Sequence, residues 1–161
     1  MMNKKGFTLT ELIVALIVSI VLMMTVGAIA SIGNDSYSNL MKEANIYNDV
    51  YFGLDLIQSL SHKATTISVD TVNKTLTIDK LVFSVSKKKI TDTVSDFIYT
   101  NTLTNAQTIL FSGVGNLSFV PSLSADGKIV TASLSGTKSF GGINTSKAVT
   151  FNVSTSAMRR N

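Results

Sequence analysis

Few residues of this chain have the type and spacing to do chemistry. The single histidine, His62, has no cysteine or acid cluster around it, and a lone histidine of that kind is seldom a ligand or a catalyst. Its place after a helical stretch suits a cationic side chain at the negative end of a helix dipole. Asp126-Gly127-Lys128 has the composition of a turn and lacks the repeated acids of a calcium loop. Gly113 and Gly115 lack the strand-to-helix context of a nucleotide fingerprint, and Gly141-Gly142 gives only flexibility. Lys87-Lys88-Lys89 reads as a solvated turn, with a patch for DNA or anionic lipid as the sharper alternative. No Ser-His-Asp spacing, zinc motif or P-loop occurs, so the sequence is not that of an enzyme and calls for no cofactor and no metal.

The amino terminus is different. It runs Met1-Met2-Asn3-Lys4-Lys5-Gly6, then Phe7-Thr8-Leu9-Thr10-Glu11, and then has no charged residue from Leu12 to Gly33. At ~1.5 Å per residue that uncharged stretch makes a helix of about 33 Å, enough to cross a hydrocarbon core. It is about twice as long as the apolar centre of a secretory signal and ends without a clear cleavage box. A plain anchor fits the length but leaves Glu11 unexplained. A carboxylate at the lip of a membrane segment costs roughly 2–4 kcal/mol. One account of it is local, because Thr8 and Glu11 have the spacing of a capping box and an acid is favoured at a helix N-terminus.

The whole string, Lys-Lys-Gly followed by Phe-Thr-Leu-Thr-Glu-Leu and a long apolar run, closely resembles the processing motif of type IV prepilins and type II secretion pseudopilins. The resemblance implies that a prepilin peptidase cuts between Gly6 and Phe7 and methylates the new amino terminus at Phe7. It places Glu11 where the family keeps the acid that pairs with the amino terminus of a neighbouring subunit. Physical reasons accompany each part. Gly6 offers little bulk to an approaching protease. Lys4 and Lys5 hold the leader on the cytoplasmic side, so the helix runs outward. An unpaired carboxylate is penalised in low dielectric, so a partner amine gives Glu11 register as well as attraction.

These readings divide the chain into a leader (1–6), a hydrophobic membrane and assembly helix (7–33), and an amphipathic helix with a β-rich globular domain (34–161). The apolar run has no narrow stripe, as expected of a helix surrounded by lipid or by other apolar helices. Ser19 and Thr25 can bond back to their own helix. Ile46, Val50, Leu54, Ile57 and Leu60 then recur at helical spacing, flanked by Tyr47 and Tyr51. This predicts one helix from about Thr8 to Ser61. Beyond it the period changes to two, with strands around 67–69, 76–78, 81–85, 97–99, 108–111, 116–120, 129–132 and 148–153. Asn73-Lys74 and Asp126-Gly127 supply turns. The expected fold is α+β and pilin-like, a long helix packed on an antiparallel sheet.

Zero cysteine excludes disulfides and thiolate chemistry. The net charge is +4; Lys4 and Lys5 supply two of those charges, and the remainder is too small to argue for nucleic acid as a partner. Asp55-Leu56-Ile57-Gln58-Ser59-Leu60, the Gly-Val-Gly-Asn-Leu-Ser-Phe segment at 113–119, and the terminal Arg-Arg-Asn are similar to J-type minor pseudopilins and related minor pilins. The resemblance implies a minor subunit of a type IV pilus, competence pilus or secretion pseudopilus, with a tip position preferred. Its partners would be other pilins, the cytoplasmic membrane and, indirectly, the assembly platform and motor. The competing reading is a pilus-displayed module that binds DNA, a surface or a secreted protein.

Overall fold

The computed structural model describes residues 8–87, 93–140 and 147–159. Among the described residues there are one helix and seven strands, in the order α1 (Leu9–Lys63), β1 (Ile67–Asp70), β2 (Thr75–Ile78), β3 (Leu81–Ser86), β4 (Val94–Asn101), β5 (Gln107–Leu123), β6 (Ile129–Phe140) and β7 (Lys147–Met158). It divides into two compact units, Met1–Met41 and Lys42–Asn161. Within the first, every described apolar side chain of α1 from Leu12 to Ile32 is exposed. Ser19 Oγ donates to the Ala15 carbonyl at 2.7 Å, and Thr25 Oγ1 to the Val21 and Leu22 carbonyls at 3.0 and 2.8 Å. Their hydroxyls are thereby satisfied without water, as an apolar surrounding requires.

In the second unit the helix becomes one-sided. Ile46, Val50, Gly53, Leu54, Ile57 and Ser61 are buried, a stripe that returns every three or four residues and faces the sheet. Leu60 packs at the margin of the core rather than within it, and Ser61 takes the innermost position at that turn. Tyr47 flanks the stripe as expected. Tyr51 turns away from it and is exposed, as is its neighbour Phe52.

The strands form one antiparallel sheet in the order β1-β2-β3-β4-β5-β6-β7, which curls until β1, β2 and β3 approach β5. The arrangement is α+β, as the periodicity predicts, and pilin-like, as the resemblance implies. Phe97 is the hub of the core, with ring centroids 5.0 Å from Phe119, 5.3 Å from Phe111 and 6.3 Å from Phe83. A Cβ on Gly53 would lie 3.6 Å from the Phe111 ring and 3.7 Å from Phe97, so α1 rests directly on this aromatic layer.

Two differences from the expected strands have separate origins. The segments at 108–111 and 116–120 belong to one strand, β5, and not to two. Gly113 and Asn116 take left-handed backbone angles, φ +73° and +50°, and the register with β6 shifts between Gly115 and Ser118. Such a bulge bends a strand without ending it, and the Asp96 carboxylate accepts the Gly113 N–H at 3.0 Å to hold it. β6 and β7 extend well past their apolar cores, because Ser and Thr on the outer face pair as well as valine does. The β1–β2 turn is tied by Asp70, whose carboxylate accepts the N–H groups of Val72 and Asn73, both at 2.9 Å. The Asp126-Gly127 turn forms as expected, with Gly127 at φ +69°. Lys87 follows β3, while Lys88, Lys89, Gly141 and Gly142 lie outside the described residues.

The chain end is clasped to the end of the helix. His62 Nδ1 donates to the Met158 carbonyl at 2.6 Å. The Arg159 N–H donates to the Lys128 carbonyl at 2.8 Å, and its guanidinium donates to the Thr65 carbonyl. Beside them Asp79 accepts the N–H groups of Thr66 and Thr65 at 2.8 and 3.0 Å. The Thr66 N–H above all, helped by the Arg159 charge, holds the Asp79 carboxyl below its ordinary range.

Two glycines give opposite expectations. Gly53→Ala meets ordinary contact distances and removes a mid-helix glycine, so it should raise stability by about 0.5–1 kcal/mol. A Cβ on Gly136 would stand 2.5 Å from Val114 Cγ1 and 3.1 Å from the Phe151 ring, so Gly136→Ala should cost about 1–3 kcal/mol. Denaturant melts check both, and adding Val114→Ala should recover part of the second loss. Asp79 gives a pH expectation. Its folded pKa is depressed, so its contribution is present above the unfolded carboxylate range and is lost as pH falls through the folded value. Urea midpoints of the Asp79→Asn variant should therefore fall less than those of the parent between neutral pH and pH of about 3.

Candidate functional site

The candidate site is the start of α1. Thr8 precedes the helix and Glu11 stands in its first turn, where free N–H groups seek acceptors. Glu11 N–H points to Thr8 Oγ1 at 3.3 Å, while Glu11 Oε2 accepts from Thr8 N–H and from Thr8 Oγ1, each at 2.9 Å. The reciprocal pair is a capping box. Thr10 joins through its hydroxyl, 3.1 Å from that of Thr8. The local account of Glu11 is therefore correct as geometry.

It is also incomplete as chemistry. Both bonds from Thr8 end on Oε2, and among the described residues Oε1 accepts none. An ionised carboxylate offers about four lone-pair sites. A cation approaching from outside can take Oε1 without breaking the cap. The surroundings strengthen such a pair, because Val14, Ala15 and Val18 share one helical groove with Thr10 and Glu11, and a charge pair in an apolar setting is screened less than one in water. The site thus holds a pre-oriented acid with one free oxygen above an apolar helix.

Lys4, Lys5, Gly6 and Phe7 lie outside the described residues. The hydroxyl of Thr10 had no role in the sequence reading, since one hydroxyl among several gives no spacing signal. No group of three or more His, Cys, Asp or Glu side chains that could hold a metal occurs among the described residues.

With this geometry in place, comparison with known proteins is informative at one end of the chain. Residues 1–32 match the family model described as the prokaryotic N-terminal methylation motif. The match spans the leader, Glu11 and the uncharged run, and it is typical of type IV pilin-like proteins. The motif indicates a structural protein, and it implies processing by a prepilin peptidase and assembly with other pilins. Together with the long apolar helix it supports membrane anchoring. No curated protein and no solved structure matches the chain.

The cap makes its own expectation. Thr8→Ala removes the hydroxyl that accepts Glu11 N–H, at a cost of about 1 kcal/mol for a helix cap. Amide exchange at the first turn, measured for the full chain in micelles, should rise about fivefold or more, while exchange in β5 and β6 stays unchanged.

Proposed function

We propose that this chain is a minor structural subunit of a type IV pilus, competence pilus or secretion pseudopilus. The observation that carries the reading is the methylation motif over residues 1–32, which covers the helical stretch from Leu12 to Ile32 whose apolar side chains are all exposed. In this reading residues 1–6 are the leader, held in the cytoplasm by Lys4 and Lys5. The peptidase cuts between Gly6 and Phe7, and Phe7 becomes the N-methylated first residue. Residues 7–33 lie in lipid before assembly and among other subunits' helices afterwards. Residues 34–161 stand outside the membrane and then on the filament.

Glu11 is the register element of this scheme. Its free Oε1 receives the positively charged amino terminus of an adjacent subunit, while Oε2 remains on the cap. A wrong register leaves that carboxylate unpaired in an apolar setting, which is costly. The similarity of residues 55–60, 113–119 and the carboxy terminus to minor pseudopilins supports a minor role, and a tip position is the preferred version of it. The assembly platform and motor would act on the chain through the growing fibre.

Co-expression with a prepilin peptidase tests the reading directly. The intact mass and the amino-terminal peptide mass should correspond to a chain that begins at N-methyl-Phe7. A chain that keeps Met1, while the peptidase processes a control substrate, overturns it. Glu11→Ala should leave processing intact and reduce incorporation into filaments by about tenfold, corresponding to roughly 1.4 kcal/mol. A major pilin carrying the same change is the needed comparison, since a tip subunit has no neighbour above it.

A further inference from the structure

β7 is an unguarded edge. Among the described residues it pairs with β6 alone, in unbroken register from Lys147 to Met158. One row of its backbone N–H and C=O groups therefore faces away from the sheet. Natural edges are commonly protected by a bulge, a proline or a charge. From Ala148 to Met158 the strand has none of these.

A groove of about 470 Å³ lies between this strand and α1. Its strand wall is Val153, Ser154 and Thr155. Val153 and Thr155 share the parity of buried Phe151 and Ala157, and Ser154 has the opposite parity. The groove thus touches side chains of both parities along the strand, and Thr155 Oγ1 donates to Gln58 Oε1 of its helix wall at 3.0 Å. Its helix wall includes Tyr51, Phe52 and Asp55. The two aromatic side chains are 56% and 62% exposed, an unusual use of aromatic surface beside a well-filled core. Asp55 is exposed and has no cation within ion-pair distance among the described residues, where the ion pair is Lys147 with Glu43.

We propose that this groove binds an extended segment of a partner protein, which adds to β7 as a further strand. One apolar side chain of the segment rests on Tyr51 and Phe52, and a Lys or Arg two residues along reaches Asp55. The spacing suits both walls. Successive turns of α1 are ~5.4 Å apart, and alternate residues of a strand are ~6.8 Å apart. Main-chain bonds to the edge supply affinity, and the alternate side chains supply choice of partner. A second copy of β7 fits poorly. Antiparallel pairing centred on Val153 sets Lys147 opposite Arg159 at both ends, and like charges placed opposite each other repel. The inference needs only the unit Lys42–Asn161 and is independent of the filament reading.

The test uses the full chain in detergent micelles, followed residue by residue by NMR. The probe is a synthetic peptide of roughly nine residues, long enough to cover most of the edge. Threonine lines one of its faces, and valine, leucine and lysine line the other. Saturable shifts at Tyr51, Phe52, Asp55 and Val153 to Thr155 are expected. Replacing the peptide's lysine by glutamate should weaken binding up to about fivefold at low salt, and Asp55→Lys should invert that preference. Unchanged resonances of Phe97 and Phe119 would verify that the variant is folded. Absence of saturable shifts, shifts elsewhere, or an order unaffected by Asp55→Lys overturns the proposal. Concentration-dependent self-association through the same residues would make a second copy the occupant and overturn it equally.

Discussion

The apolar surface from Leu12 to Ile32 is the constraint on which the rest of this molecule depends. It has no charge and no polar face, and its side chains are exposed. At ~25 cal/mol per Å² of apolar area, water is a poor home for such a helix, so its covering comes from lipid or from other helices. That requirement gives meaning to what flanks it. Under the proposed function, a basic leader orients the helix across a membrane. An acid at its lip is tolerable only where it is held and paired. A largely polar outer sheet face and a charged helix flank suit the second unit to water.

Glu11 shows how one side chain answers two demands. By itself the first turn of α1 needs an acceptor for its free N–H groups, and Thr8 with Glu11 satisfies that need inside the chain. The cap uses Oε2 and fixes the carboxylate's direction. The second oxygen is left to a cation from outside. A carboxylate already ordered by its cap loses little further freedom when an amine arrives, so more of the pair's attraction is retained. Under the proposed function, capping and intermolecular pairing are therefore cooperative uses of the same acid rather than rival explanations of it.

How much of this was legible in the sequence depended on how sharply each feature is encoded. The amino-terminal string was legible because several residue types must fall at fixed offsets. The helix and its buried stripe were legible because Ile46, Val50, Leu54 and Ile57 repeat with the helical period. The length of β6 and β7 was not, because residues such as Ser133, Ser135 and Thr137 are chosen for the solvent face and carry no apolar signal. The continuity of β5 was hidden by Gly113 and Asn116, which resemble a loop and in fact make a bulge. The exposure of Tyr51 was misjudged because aromatic residues beside an apolar stripe usually lean on it. The groove it forms with Phe52 and β7 arises from residues about a hundred positions apart, a juxtaposition that no local period can reveal.

The carboxy terminus addresses a problem that cysteine-free chains share. Among the described residues β7 is the last strand, and its outer edge has no neighbour to hold it. Without a disulfide, closing a loop of about a hundred residues costs entropy that grows only as its logarithm, so a few well-placed bonds suffice. His62 on the Met158 carbonyl and Arg159 on the Thr65 carbonyl provide them at the point where α1 ends. Asp79 organises the same turn from the β2–β3 side. The clasp fixes the final residues of β7, the Thr155 hydroxyl donates to Gln58 Oε1 of α1 at 3.0 Å, and β6 pairs with one edge of the strand along its whole length. A strand held in these ways, with aromatic side chains beside its other edge, is suited to receiving another chain without disturbing the core around Phe97.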